Sequence, residues 1–92
     1  MAGCIIQVWF AQDADVDQSQ HKQRFYIIET ELEDFATACE LVDADRLIGG
    51  AILTTNKIGY LLCEIVSRRP IAFRGSAVSR IELPRFSYQD AP

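Results

Sequence analysis

Residues 30–43 read TELEDFATACELVD, and the apolar residues Leu32, Phe35, Ala36, Cys39 and Val42 recur there at intervals of three and four. Glu31, Glu33, Asp34, Thr37, Glu40 and Asp43 fill the other side, so the segment predicts an amphipathic helix with one buried stripe. Thr30 followed by Glu33 fits the S/T-x-x-E capping box, and the carboxylates near the start complement the positive end of the helix dipole. These cues start the helix at Thr30. It stops near Asp43, because residues 47–55 read as strand.

The rest of the chain follows a period of two. Residues 4–10, CIIQVWF, place Cys4, Ile6, Val8 and Phe10 on one face and Ile5, Gln7 and Trp9 on the other. Residues 11–23 are polar and predict a long hairpin loop, and residues 24–29, RFYIIE, form a second strand leading into the helix. After the helix, residues 47–55 predict a strand in which Gly49 and Gly50 mark a bulge or a close backbone approach beneath the helix. Asn56 and Lys57 supply a turn, and residues 58–67, apolar on both alternating sets, predict a strand covered on both faces. Arg68, Arg69 and Pro70 turn the chain, Ile71 starts another strand, and Arg74, Gly75 and Ser76 permit a kink. Residues 77–83 alternate cleanly and predict an edge strand with one wet side, ended by Pro84. Residues 85–92 show no pattern and read as a loosely docked end.

The order ββαβββ defines a single α+β domain over residues 1–92, a mostly antiparallel sheet of five to six strands with one amphipathic helix on one face. A packing problem follows. A helix of this size, about 20 Å long and about 10 Å wide, covers one sheet face and not two. Both faces nevertheless carry large apolar side chains. Either the sheet curls into a partly closed barrel with its own interior, or its second face meets another subunit. The expectation is a homodimer, with Ile5, Trp9, Tyr26, Ile28 and Tyr60 as candidate interface residues.

Composition adds limits. At 92 residues, 49% hydrophobic and 24% charged, the chain has one core and is not generally disordered. No apolar run approaches the roughly 18 residues of a membrane span, and the start lacks a charged and apolar leader pattern, so a cytoplasmic protein without membrane contact is expected. Residues 1–46 hold three basic and ten acidic side chains, net -7, and residues 47–92 hold six basic and three acidic, net +3. Such asymmetry steers association between subunits or toward a charged partner.

No catalytic or ligand motif rises above chance. Asp13, Asp15 and Asp17 mimic the first ligands of an EF-hand loop, but Gln18 stands where glycine is needed and Arg24 where a bidentate glutamate should sit. His21 is the sole histidine, with no partner nucleophile placed beside it. Cys4, Cys39 and Cys63 are far apart on apolar elements and read as buried free thiols, without zinc spacing. Arg74-Gly75-Ser76 lacks the second glycine and the lysine of a phosphate loop. No cofactor is implied and the expectation is not an enzyme.

Three functional readings remain. The first is a small non-enzymatic binding or regulatory protein acting on an unknown protein partner through a sheet face or edge and the acidic helix surface, as a homodimer. The second is a sheet-based binder of single-stranded nucleic acid through Arg68, Arg69, Arg74, Arg80 and Arg85, interleaved with Phe73 and Phe86. A pI near 4.8 opposes it. The third is a small-ligand binder or enzyme with a pocket at a dimer interface near Trp9, Tyr26 and Tyr60.

Overall fold

A computed structural model describes residues 3–11 and 25–92. The polar loop, with Asp13, Asp15, Asp17 and His21, lies outside the described residues. The elements are β1 (Ile5–Phe10), β2 (Phe25–Thr30), α1 (Phe35–Asp43), β3 (Leu47–Gly59), β4 (Leu62–Arg74), a 3-10 turn (Gly75–Ala77), β5 (Val78–Glu82) and β6 (Ser87–Asp90). The six strands make one sheet in the order β5-β1-β2-β3-β4-β6, with every pairing antiparallel except β4 with β6. This is the α+β class, with α1 and a mostly antiparallel sheet among the described residues.

The sheet is strongly curled. Arg74 and Val78 are four residue steps apart, a reach of at most about 14 Å, yet β4 and β5 are four places apart, which is about 19 Å in a flat sheet. Glu82 to Ser87 poses the same conflict: five steps reach about 17 Å, while five places span about 24 Å. Both connections close because the sheet bends. The ring centroids of Phe10 on β1 and Phe73 on β4 accordingly lie 5.1 Å apart, edge to face, although two strands separate their backbones. Of the two solutions to the packing problem, the chain adopts the partly closed barrel.

The concave side holds the main core. Register places Ile6, Ile28 and Ile52 in one row, Ile81, Val8 and Tyr26 in a second, and Ile48 opposite Phe73. Phe35, Ala38, Leu41 and Val42 of α1 pack onto this side, where Ile6, Val8, Ile28 and Ala38 are fully buried. A smaller cluster on the convex side joins buried Ile27, Leu53 and Ile65 to Ile5 and Tyr88.

Several expectations need correction. The helix starts at Phe35, capped by Asp34, whose Oδ1 accepts from the backbone N–H of Thr37 at 2.9 Å. Thr30 is instead the last residue of β2 and buried: its hydroxyl donates to the Cys4 carbonyl at 3.0 Å and accepts from the Leu32 N–H at 3.2 Å. That oxygen is already committed, so the capping box does not form. The buried stripe is rotated accordingly, with Ala38 inside and Ala36 exposed. The helix ends at Asp43 as expected, and Asp45 adopts a left-handed φ of 54° just beyond it.

The turn forms at Tyr60 and Leu61, not at Asn56 and Lys57, which stay within β3. Arg68, Arg69 and Pro70 do not turn the chain either. They continue β4, opposite Ile52 and its neighbours. Proline is tolerated there because β6 covers only residues 62–65 of β4, which leaves Pro70 on an edge. The patternless end contains β6, a strand created by pairing along β4 rather than by its own alternation. The paired glycines also separate: a Cβ on Gly50 would lie 2.3 Å from the Glu29 carbonyl oxygen of β2, while one on Gly49 would meet nothing within 4 Å. The close approach is to the neighbouring strand, not to the helix.

Candidate functional site

The longest elements, β3 and β4, form a hairpin that outruns its support. β2 pairs only with Gly50, Ala51 and Ile52 of β3, so the remainder of the hairpin extends as an arm past that ladder. Its root is fixed. Leu53 and Ile65 are buried with Ile27, and Tyr88 packs on them. Burial, and secondarily the neighbouring Cys63, pushes the Tyr88 phenol above its ordinary range. Arg68 Nε donates to Glu29 Oε1 at 2.7 Å and Arg68 Nη2 to Asp90 Oδ1 at 2.7 Å, linking the arm to β2 and β6. These bonds to Glu29 and then Asp90 hold the guanidinium pKa above its ordinary value.

The tip is apolar and exposed. Tyr60 is 89% accessible, Ile58 46% and Leu61 40%, while Val66, 52% accessible, lies back at the Thr54/Thr55 bulge beside buried Ile65. Two register shifts, at Thr54/Thr55 and Lys57/Gly59, interrupt the ladder between the root and the Tyr60–Leu61 turn. Leu61 carries a φ of 56°, a left-handed conformation that favours glycine or asparagine and disfavours a bulky side chain. A bond from the Ser87 N–H to the Leu61 carbonyl, 2.8 Å, holds it there. Lys57 lies near the tip, its Nζ 5.6 Å from the Phe86 ring centroid.

A second feature is a groove of about 950 Å3 lined by Gly3, Ile5, Glu29, Thr30, Glu31, Leu32, Gly49, Gly50 and Ala51. Its walls offer Ile5 and Leu32 as apolar surface, with carboxylates at Glu29 and exposed Glu31. The floor is low because Gly49 has no side chain and faces open space.

The five candidate interface residues do not share a surface. Ile5 and Trp9 lie on the convex face, whereas Tyr26 pairs with Val8 and Ile28 with Ile6 on the concave face. Ile28 is fully buried, and Tyr60 stands alone of the five at the tip. Trp9, Tyr26 and Tyr60 therefore enclose no common pocket. On the convex face Trp9 instead stacks with Phe25, centroids 5.4 Å apart, and the Arg80 guanidinium sits 4.6 Å from its ring.

The arginines are dispersed as well. Arg68 is engaged by Glu29 and Asp90, Arg74 pairs with Asp45 at 3.5 Å, and Arg80 pairs with Glu82 at the opposite sheet edge. Arg69 follows Arg68 in the strand and so projects to the other face, while Arg85 sits in the link between β5 and β6. They are not gathered into one basic surface. The charge asymmetry of the two chain halves is partly spent inside the molecule, through Arg68–Glu29 and Arg74–Asp45.

The three thiols are free, with Cys63 buried and Cys4 and Cys39 half-buried. Among the described residues, no three His, Cys, Asp or Glu side chains are grouped as a metal ion would require. No described helix is long and apolar enough to cross a membrane. No protein-family model, curated protein or solved structure matches the chain.

Of the tip residues, sequence reasoning found Tyr60 but missed Ile58 and Leu61. The available signal was weak, because a turn made of Tyr60 and Leu61 lacks the glycine, asparagine or aspartate that normally marks a two-residue hairpin loop.

Proposed function

We propose that the chain is a small non-enzymatic binding protein that works through protein–protein contacts and assembles as a homodimer, with the β3–β4 arm as its contact element. The observation that carries this reading is the tip. Three large apolar side chains, Ile58, Tyr60 and Leu61, stand in water at the end of a segment whose root is packed, and one of them, Leu61, occupies a backbone conformation that glycine fills more cheaply. Strain of this kind persists where the side chain itself is needed. Tyrosine is among the residues that most often dominate contact energy.

Dispersal of the arginines weighs against the nucleic-acid reading, and the separation of Trp9, Tyr26 and Tyr60 weighs against a ligand pocket formed by those three residues. Sedimentation equilibrium over a wide concentration range tests the proposal. A mass that rises to twice the chain mass, and stays at the monomer value when Tyr60 and Leu61 are replaced by serine and glycine, supports it. A monomer mass for the unaltered chain at every concentration overturns it.

A further inference from the structure

The arm tip and the groove lie at opposite ends of the same strand. From Ala51 to Gly59, β3 advances eight residues, or about 26 Å at the usual rise, so a tip cannot fold back onto its own groove. Another chain can supply it. The tip presents Tyr60 and Leu61 with Lys57 near them, and the groove presents Ile5 and Leu32 over a glycine floor with exposed Glu31 at its wall, Glu29 being paired with Arg68. Lys57 of the tip and Glu31 of the groove carry opposite charges, which favours register as well as attraction.

Area points the same way. The exposed parts of Ile58, Tyr60 and Leu61 amount to on the order of 400 Å2, short of the roughly 800 Å2 per partner of a standard stable interface. Packing tip against tip therefore falls below that size. Adding a groove from each copy enlarges the contact. We propose, building on the dimer reading above, that the Tyr60–Leu61 tip of one copy seats in the Gly49 groove of a second copy and that the exchange is reciprocal, closing a two-fold dimer.

The adjacent glycines provide a clean test. In Gly49→Leu the new side chain enters open space, so the monomer fold is retained while the groove is filled. In Leu61→Gly the left-handed residue is relieved while the apolar plug is removed. Each variant alone is expected to sediment as a monomer with an unchanged circular dichroism spectrum. An equimolar mixture of the two is expected to form a heterodimer, weaker than the parent dimer, because the intact tip of one fits the intact groove of the other. Lys57→Glu is expected to weaken the dimer about tenfold, and Lys57→Glu combined with Glu31→Lys to restore it. Retention of the parent dissociation constant by both Gly49→Leu and Leu61→Gly, or failure of their mixture to associate, overturns this docking while the dimer itself stands. A parent chain that is monomeric throughout overturns both.

Discussion

The curl of the sheet makes a quantitative claim about two residues far apart in strand order. Phe10 and Phe73 meet edge to face at 5.1 Å, whereas an untwisted sheet would hold β1 and β4 about 14 Å apart. Phe73 is 7% exposed, and Phe10 also lies against Tyr26 at 5.5 Å, so both rings belong to the concave core. Replacing either ring by leucine keeps apolar bulk and costs on the order of 1 kcal/mol. An edge-to-face aromatic pair contributes about 0.5–1.5 kcal/mol beyond the area it buries. The double variant Phe10→Leu/Phe73→Leu is therefore expected to lose about 1 kcal/mol less than the two single losses together. A chain of this length has a stability of about 5–14 kcal/mol, so all four proteins remain folded. Urea unfolding followed by the fluorescence of Trp9, the only tryptophan, supplies the four free energies. Additivity within about 0.3 kcal/mol is the behaviour of residues more than about 7–10 Å apart, and it would refute the closed arrangement.

Other perturbations separate further features. Gly50→Ala drives a Cβ into the Glu29 carbonyl oxygen and is expected to cost about 1–3 kcal/mol, while Gly49→Ala next to it leaves the chemical-denaturation midpoint nearly unmoved. Thr30→Val removes the hydroxyl that joins Cys4 to Leu32 and is expected to lower unfolding free energy by about 1–2 kcal/mol, because the Leu32 N–H loses its acceptor. Asp34 has its carboxyl pKa lowered first by the Thr37 backbone N–H and then by the Thr37 hydroxyl. Its stabilisation is thus present above the unfolded value near 3.8 and is lost as pH falls through the lower folded value. Asp34→Ser, which keeps the cap but not the titration, should flatten the melting-temperature profile in that acidic window. Arg68→Ala should lower the melting temperature slightly, and the difference should shrink as salt is raised, since all three partners are solvent-exposed.

The elements that were legible in the sequence are those whose own side chains specify them. β1 and β2 alternate about a core, and α1 shows its period, so the α+β class and the ββαβββ order follow from local pattern alone. What escaped was set by distant pairing. Thr30 and Glu33 match a capping box as a string, but the oxygen of Thr30 is claimed by Cys4 and Leu32 once β2 is in place. Pro70 reads as a turn because nothing local reveals that β6 stops short of it, and β6 itself is a strand only because β4 offers an edge. The arginine cluster was separable in advance. Arg68 and Arg69 are consecutive, and a strand sends consecutive side chains to opposite faces.

Apolar residues on both faces of the sheet first suggested a missing companion for one whole face. Curling removes most of that demand, since the concave side closes over Phe10 and Phe73, and Ile27, Leu53 and Ile65 are buried with Ile5 and Tyr88 on the other. What stays exposed is scattered at Phe25, Leu47, Val66 and Leu83 and gathered at Ile58, Tyr60 and Leu61. β3 and β4 are longer than β2, and beyond β2 their hairpin is flanked only by β6 on the β4 side, so the Tyr60–Leu61 turn projects past both into water. A tip made of polar turn residues would end such an arm at no cost in water. Here the positions carry Ile58, Tyr60 and Leu61, with Leu61 held in an unfavourable φ by the Ser87 bond. The same chain provides, at the other end of β3, a depression kept open by a glycine whose conformation any residue could adopt. Gly49 is therefore not required by backbone geometry, in contrast to Gly50, and Leu61 is not favoured by it. Those two residues oppose local preference in ways that a second copy of the chain would reconcile, one supplying the space and the other what fills it.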